Sequence, residues 1–378
     1  MKFVHLSDLH LGKRVNEYSM LEDQKYILKK IINIIDEQNP QAVIIAGDVY
    51  DKSVPPAEAV QLFDDFLCRL SKRNLQVFVI SGNHDSPERI AFGSRLMDKS
   101  GIHMSPVYNG VVEPVELGDE FGIVSFYMLP FLKPANVRRF FEDEEIISYT
   151  DAVFSAVSHM KINSQNRNVL ITHQFVTGAI RSDSEAISVG GTDNVDVCAL
   201  EPFDYVALGH IHGAQGMGRD TVRYCGTPLK YSFSEINQIK SVTVVDMQEK
   251  GNIEISTVPL EPRLDMREIR GKFSELTLKS NYESTATYDY MHIILTDEED
   301  VPDAIERLRA VYPNMMKLDY DNTRTRNSQA FTQAEKIEQK SEIELFAEFY
   351  EKQNGQPMSD AQLSFSAELF EKIKEELQ

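Results

Sequence analysis

At 378 residues, 42% hydrophobic and 26% charged, the chain has the composition of an ordinary globular protein long enough for more than one domain. A net charge of −20 argues against an unaided grip on nucleic acid through a basic face, while leaving open a grip anchored by bound cations. There is no apolar run of bilayer length and no secretory leader pattern, and three widely spaced cysteines (Cys68, Cys198, Cys225) read as small core residues in a reducing cytoplasm, not a disulfide framework.

Residues 2–6 alternate as a strand and end on Ser7-Asp8-Leu9-His10. Over 21–37 the residues Ile27, Leu28, Ile31, Ile32, Ile34 and Ile35 recur at helical spacing. Residues 42–46 form a continuous apolar run, as expected of a strand covered on both faces, and end on Gly47-Asp48. Pro55-Pro56 then opens a helix through Val60, Phe63, Phe66, Leu67 and Leu70. A third buried strand over 77–80 ends on Gly82-Asn83-His84-Asp85. Strand–helix–strand–helix–strand with right-handed crossovers makes these strands parallel, with their carboxyl ends along one edge, where sites form in such sheets.

Strands at 169–172 and 205–208 end the same way, on His173 and on Gly209-His210-Ile211-His212. Residues 242–245 and 253–258 read as a strand pair closing this half of the chain. From 264 to about 321 the pattern becomes strand, helix, strand, helix, strand without ligand-type clusters, as in a small α+β accessory domain. A polar linker follows, and then two amphipathic helices, one with Ile343, Phe346, Phe349 and Tyr350, the other with Phe365, Leu369, Phe370, Ile373 and Leu377. Two helices of that length must bury their apolar faces on something else.

Five polar runs at strand ends supply two Asp, one Asn and four His as possible metal ligands: Asp8, Asp48, Asn83, His10, His173, His210 and His212. Mixed oxygen and imidazole donors suit manganese, iron or zinc, and a set too large for one ion points to two-metal hydrolysis of a phosphate ester. Asp48, with two carboxylate oxygens and a glycine before it, is the natural central ligand. His84 is left over beside Asn83, placed to protonate a leaving oxygen or to stabilise a charged transition state. Asp85 is expected to orient and charge the His84 imidazole. His5 lies inside a strand, and His103, His159 and His292 have no evident partners, so core or surface roles are expected for them. Each run alone is weak, since Asp-x-His and turn residues are common; the weight lies in all five together at strand ends.

This set resembles the calcineurin-like metallophosphoesterases, and its details are similar to the DNA-repair nuclease branch of that superfamily. The narrower likeness rests on residues 5–12 (HLSDLHLG), 47–51 (GDVYD), 189–196 (VGGTDNVD) and 226–235 (GTPLKYSFSE), and extends over essentially the whole chain. The resemblance implies an α/β layered metallophosphoesterase sandwich with a small α+β capping domain and a C-terminal helical tail. The corresponding divisions are 1–262 for the nuclease domain, 263–322 for the cap, 323–335 for the linker and 336–378 for an ATPase-binding tail. It further implies two divalent ions, most often manganese, one held by Asp8, His10, Asp48 and His212, the other by Asp48, Asn83, His173 and His210, with His84 as the catalytic histidine. Asp51 stands where archaeal and eukaryotic relatives carry a histidine, and is given no catalytic role. The implied substrates are double- and single-stranded DNA at ends and hairpins, and the implied partner is an SbcC-like coiled-coil ATPase. A homodimer within a heterotetramer, formed through the helices at 57–70 and 90–97, is expected, in the bacterial cytoplasm and off the membrane. A phosphoesterase of small nucleotides or phosphoproteins would share every ligand, and a non-catalytic scaffold would be expected to have lost some.

Overall fold

The computed structural model describes residues 1–185, 193–326 and the positions 346, 347, 350, 358, 359, 362, 363, 365, 366 and 369. Two six-stranded sheets lie face to face. The first runs in the order Ile253–Pro259, Ser241–Met247, Lys2–Leu6, Ala42–Ala46, Gln76–Ile80, Ile102–Met104. The second runs Gln215–Met217, Arg219–Tyr224, Tyr205–Gly209, Arg167–His173, Gly122–Leu129, Val115–Asp119. In the first sheet the strands from Lys2 to Met104 pair in parallel, and Ser241–Met247 joins antiparallel along Lys2–Leu6, as the strand pair read at 242–258 requires.

The unbroken apolar strands follow from this double layer, because neither of their faces meets water. Ala42, Ile44 and Ala46, with Phe3, Phe78 and Ile80, face Val124, Phe126, Val169, Ile171, Tyr205 and Ala207 of the second sheet. The Phe78 and Phe126 rings stack at 4.4 Å across that interface. Alternate residues Val43, Ile45, Val77 and Val79 turn outward onto Ile27, Leu28, Ile31, Phe63, Phe66 and Leu70 of the helices Leu21–Gln38 and Ala57–Ser71. The second sheet is covered on its far side by Ala152, Val153 and Ala156 of the helix Tyr149–Ser158. A sandwich of this kind brings the carboxyl ends of two sets of parallel strands to one rim.

A small three-stranded parallel sheet, Met266–Gly271, Tyr290–Leu295 and Met315–Tyr320, follows with its own core of Phe273, Met291, Ile293, Leu295, Leu308 and Met315. It packs on the first sheet's helical layer, where the Tyr290 hydroxyl donates to Asp23 Oδ2 at 2.6 Å and Arg263 pairs with the same carboxylate at 3.0 Å.

Several expectations are corrected. The segment at 90–97 is not one helix but two single turns, Pro87–Ile90 and Ser94–Met97, separated by Gly93 at φ 74°. Likewise the first helix read between 264 and 321 is two short turns, Phe273–Leu276 and Lys279–Tyr282. Cys68 and Cys198 are exposed, so only Cys225 is a core cysteine. The residues 189–192, most of the linker at 327–335 and most of the tail helices at 336–378 lie outside the described residues. Among the described residues no helix is long and apolar enough to cross a membrane.

Candidate metal centre

All five polar runs meet on the rim where the two sheets abut. The seam is made by ligand-type residues themselves: His173 Nδ1 donates to the Ala46 carbonyl at 2.8 Å, and the His210 N–H donates to Asp8 Oδ1 at 3.0 Å. The Asp8 N–H donates to the Gly47 carbonyl at 3.0 Å and the His10 N–H to the Asp48 carbonyl at 2.9 Å, locking the first two loops together. Asp8, His10, Asp48 and His210 all have positive φ (53°, 45°, 47° and 103°). Such strain costs about 1–3 kcal/mol per residue and concentrates at functional sites. The close approach also explains Gly209, where a Cβ would collide with the Ala46 carbonyl and His173 Nδ1.

Asp48 sits between two groups of donors. On one side His10 Nε2 lies 3.8 Å from Asp48 Oδ2 and 3.2 Å from His212 Nε2, and the ligand atoms of Asp8, His10 and His212 fall within 4.8 Å of one another. On the other side His173 Nε2 lies 3.3 Å from the same Asp48 oxygen, and Asn83 Oδ1 is 3.0 Å from His173 Nε2 and 2.8 Å from His210 Nδ1. Asp8 Oδ1 reaches this second group as well, 3.9 Å from His173 Nε2. His84 stands at the mouth with its side chain 25% exposed, Nε2 4.0 Å from Asp48 Oδ2, close enough that distance alone also groups it with His10 and Asp48. Its Nδ1 donates to the Asp51 carbonyl at 3.0 Å.

The donor chemistry fits divalent cations. Burial holds His10 and His212 below the ordinary histidine range, and burial with the neighbouring His173 takes His210 down to about 3. These imidazoles therefore offer lone pairs. Burial, reinforced by the Asp48 charge, pushes the Asp8 carboxyl up to about 7. His173 resists its own burial because Asp48 and Asp8 face it, and rises to about 9. Buried carboxylates competing for protons beside neutral imidazoles whose nitrogens face one another are balanced by a cation, for which both are ligand forms. The donors are oxygen and imidazole, with no thiolate among them, a set suited to first-row divalent ions.

Asp85 does something other than expected. Its carboxylate accepts from the N–H groups of Val49 (3.0 Å), Tyr50 (2.9 Å) and Gly82 (3.0 Å), which staples the Asp48 loop to the Asn83 loop. Its oxygens are taken up by these three main-chain donors, and the group holding the His84 ring is the Asp51 carbonyl and not Asp85. Burial and the nearby Asp48 push the Asp85 carboxyl up to about 6. The remaining histidines have partners: His5 with the Tyr205 hydroxyl (3.0 Å), His103 with Asp98 five residues before it (2.6 Å), His159 with Glu144 (3.3 Å), and His292 with Glu268 (2.9 Å) and Asp319 (2.7 Å).

Residues that the sequence did not single out hold the ligand loops. Gln24 Nε2 donates to the His10 carbonyl at 2.7 Å and its Oε1 accepts from the Gly12 N–H at 2.9 Å, while the Tyr231 hydroxyl donates to the Leu9 carbonyl at 2.7 Å. The available signal was a glutamine on the apolar face of its helix, where it is 1% exposed. Beside the mouth, Lys13 pairs with Asp51 at 2.7 Å and lies over the Tyr231 ring.

Residues 1–214 match the family described as calcineurin-like phosphoesterase, and residues 262–354 match one described as the type 5 capsule protein repressor C-terminal domain. The chain is 32% identical over 366 residues to the SbcD component of the SbcCD nuclease of Staphylococcus epidermidis, covering 96% of each chain. It is 33% identical over 322 residues to the protein of the same name from Staphylococcus saprophyticus, covering 84% of each. Among solved structures, a dimetal phosphatase from Danio rerio aligns with a TM-score of 0.42 at 13% identity, covering 69% of this chain and 99% of that one.

Proposed function

The chain belongs to the calcineurin-like phosphoesterases, in the branch of the SbcD-type nuclease subunits, and on that premise we propose that it hydrolyses DNA phosphodiester bonds as one subunit of an ATPase–nuclease assembly. The observation that carries this reading is the pair of donor groups flanking Asp48, in a chain that matches nuclease subunits along 96% of its length. We assign Asp8, His10, Asp48 and His212 to one divalent ion and Asp48, Asn83, His173 and His210 to the other. Manganese is the proposed metal, consistent with two carboxylates, an amide oxygen and four imidazoles. When bound, such a pair supplies neutralisation of the scissile phosphate and an activated water.

The protein's own groups do the rest. His84, with Nδ1 donating to the Asp51 carbonyl, has Nε2 directed at the mouth; as the imidazolium, protonated on both nitrogens, it gives the Nε2 proton to the departing oxygen and keeps the one on Nδ1. Asp85 acts at one remove by fixing the two loops that carry Asp48 and His84. Asp8 and Asp48 are held in place by the backbone N–H groups of His210 and His84, at 3.0 and 2.8 Å.

The proposed organisation is a nuclease domain over 1–262, a capping domain over 263–322, a linker over 323–335 and a tail over 336–378 that docks on an SbcC-type coiled-coil ATPase. The cap sits against the helix that carries Gln24, the residue clamping the His10 loop. Phe92 and Leu96, 83% and 80% exposed, and Val60 at 44% supply an apolar surface for the proposed homodimer. Grip on DNA is assigned mainly to the assembly, in keeping with the acidic charge of this chain.

The test is cleavage of end-labelled hairpin and blunt duplex DNA by the full chain with manganese, with and without the ATPase. Metal-dependent cleavage, abolished by chelation, is expected. DNA left intact while cyclic or mononucleotide esters are hydrolysed would replace this reading with the small-nucleotide alternative.

A further inference from the structure

A fully buried carboxylate stands directly behind His212. Glu235 closes the short turn Phe233–Glu235 and is 0% exposed. Its Oε1 accepts from the Ser184 hydroxyl at 2.5 Å, and its Oε2 accepts from Lys240 Nζ at 2.5 Å. Ser184 Oγ is in turn 2.7 Å from His212 Nδ1, and Glu235 Oε1 is itself 3.3 Å from that nitrogen.

The polarity of this hydrogen-bond relay is fixed by proton supply. Ser184 has a single hydroxyl proton, and the carboxylate takes it, so the serine oxygen is left as an acceptor toward the imidazole. Both groups within reach of Nδ1 therefore ask for a proton there. A neutral His212 accordingly carries Nδ1–H and presents a bare lone pair on Nε2, the nitrogen that faces His10 Nε2 at 3.2 Å.

The rest of the residue is held from the same side. Lys240 Nζ, which balances Glu235, lies 2.9 Å from the His212 carbonyl, 2.8 Å from Thr227 Oγ1 and 2.7 Å from Gln238 Oε1, and shares its three protons among these acceptors and Glu235. The His212 N–H donates to Glu185 Oε1 at 2.6 Å. The other three ligand imidazoles are supported differently. His173 Nδ1 rests on the Ala46 carbonyl, His210 Nε2 has no hydrogen-bond partner among the described residues, and His10 Nδ1 lies 3.7 Å from Asp51, beyond hydrogen-bond reach. Among the described residues, a carboxylate backing is thus particular to His212 of the four.

We propose that Glu235, acting through Ser184 and with Lys240 as its counter-charge, is a positioning residue that sets the tautomer and aim of His212 toward the cation on the Asp8 side. This rests on the metal-site reading above. Its consequence is asymmetry: loss of the backing weakens one ion and spares the other, which depends on His173, His210 and Asn83.

The experiment is manganese titration of the full chain, read by electron paramagnetic resonance of free and bound ion. The double substitution Glu235→Leu with Lys240→Met removes both buried charges together, so that neither is left unpaired. One of the two ions is expected to bind about 10–100-fold more weakly, the range typical of a lost outer hydrogen-bond partner, with the second within about twofold of its parent affinity. Ser184→Ala keeps the charge pair and therefore tests the same link even where the double variant does not fold; about tenfold weakening of the same single ion is expected. Two unchanged ions in Ser184→Ala, or equal weakening of both ions in a folded variant, overturn the positioning role and leave the metal-site reading standing. A parent protein that holds no pair of ions overturns that reading and this role with it.

Discussion

The His84 imidazole donates through Nδ1 to the Asp51 carbonyl at 3.0 Å, which leaves Nε2 4.0 Å from Asp48 Oδ2 at the open side of the centre. A main-chain acceptor fixes which nitrogen carries the permanent proton and turns the other toward the substrate. His173 is backed in the same way by the Ala46 carbonyl, so what sets His84 apart is its place at the mouth, where its side chain is 25% exposed; with a proton on Nε2 as well, it is the proposed proton donor. Replacing it with alanine should slow DNA cleavage by about 10²–10⁴-fold, the usual contribution of general acid catalysis. Single-turnover cleavage measures this, and manganese titration of the same variant should still find two ions. Loss of an ion would instead assign His84 to the metal.

Gly209→Ala should damage the centre without altering any proposed ligand. The added Cβ meets the Ala46 carbonyl and His173 Nδ1, where neither sheet can yield. Overpacking of this kind costs about 1–3 kcal/mol. Thermal unfolding should show that loss, and manganese affinity should fall on the His173 and His210 side.

Acid sensitivity should be traceable to Asp119. Burial opposes its charge, but the Arg167 guanidinium and the Met1 amino group outweigh that and hold the carboxyl down at about 2. A carboxyl depressed from 3.8 to about 2 in the folded state stabilises the fold above pH about 4, and loses that contribution as pH falls toward 2. Asp119→Asn should therefore cost about 2 kcal/mol at pH 7, with the gap to the parent narrowing below pH about 4. Urea midpoints for both proteins between pH 7 and pH 3 check this.

Deleting residues 336–378 should abolish binding to an SbcC-type ATPase in size-exclusion chromatography while leaving manganese binding intact. Retained binding would move the docking element elsewhere.

Much of the centre was legible because its residues are local signals. Asp8, His10, Asp48, Asn83, His173, His210 and His212 each follow a strand whose apolar run marks it in the sequence, and parallel strands carry their ends to one rim. What faces what across two sheets leaves no such mark. Asp85 lies next to His84 in sequence yet bonds to the main-chain N–H groups of Val49, Tyr50 and Gly82, partners that only the folded loops bring to it. His292 looked solitary because Glu268 and Asp319 come from the flanking strands of its sheet. Ser184 meets His212 from one loop, and Glu235 with Lys240 from another, and nothing in the sequence brings the two loops together. Gly93 broke an apparent helix because its backbone conformation, not its hydropathy, decides the local path.

The most direct measurement is anomalous diffraction from crystals of the full chain soaked in manganese. Two peaks about 3.5–4 Å apart, the separation of two-metal hydrolytic sites, should flank Asp48, with its carboxylate touching both and His84 touching neither. A single peak, or a peak within bonding distance of the His84 imidazole, would contradict the division into seven ligands and one proton donor.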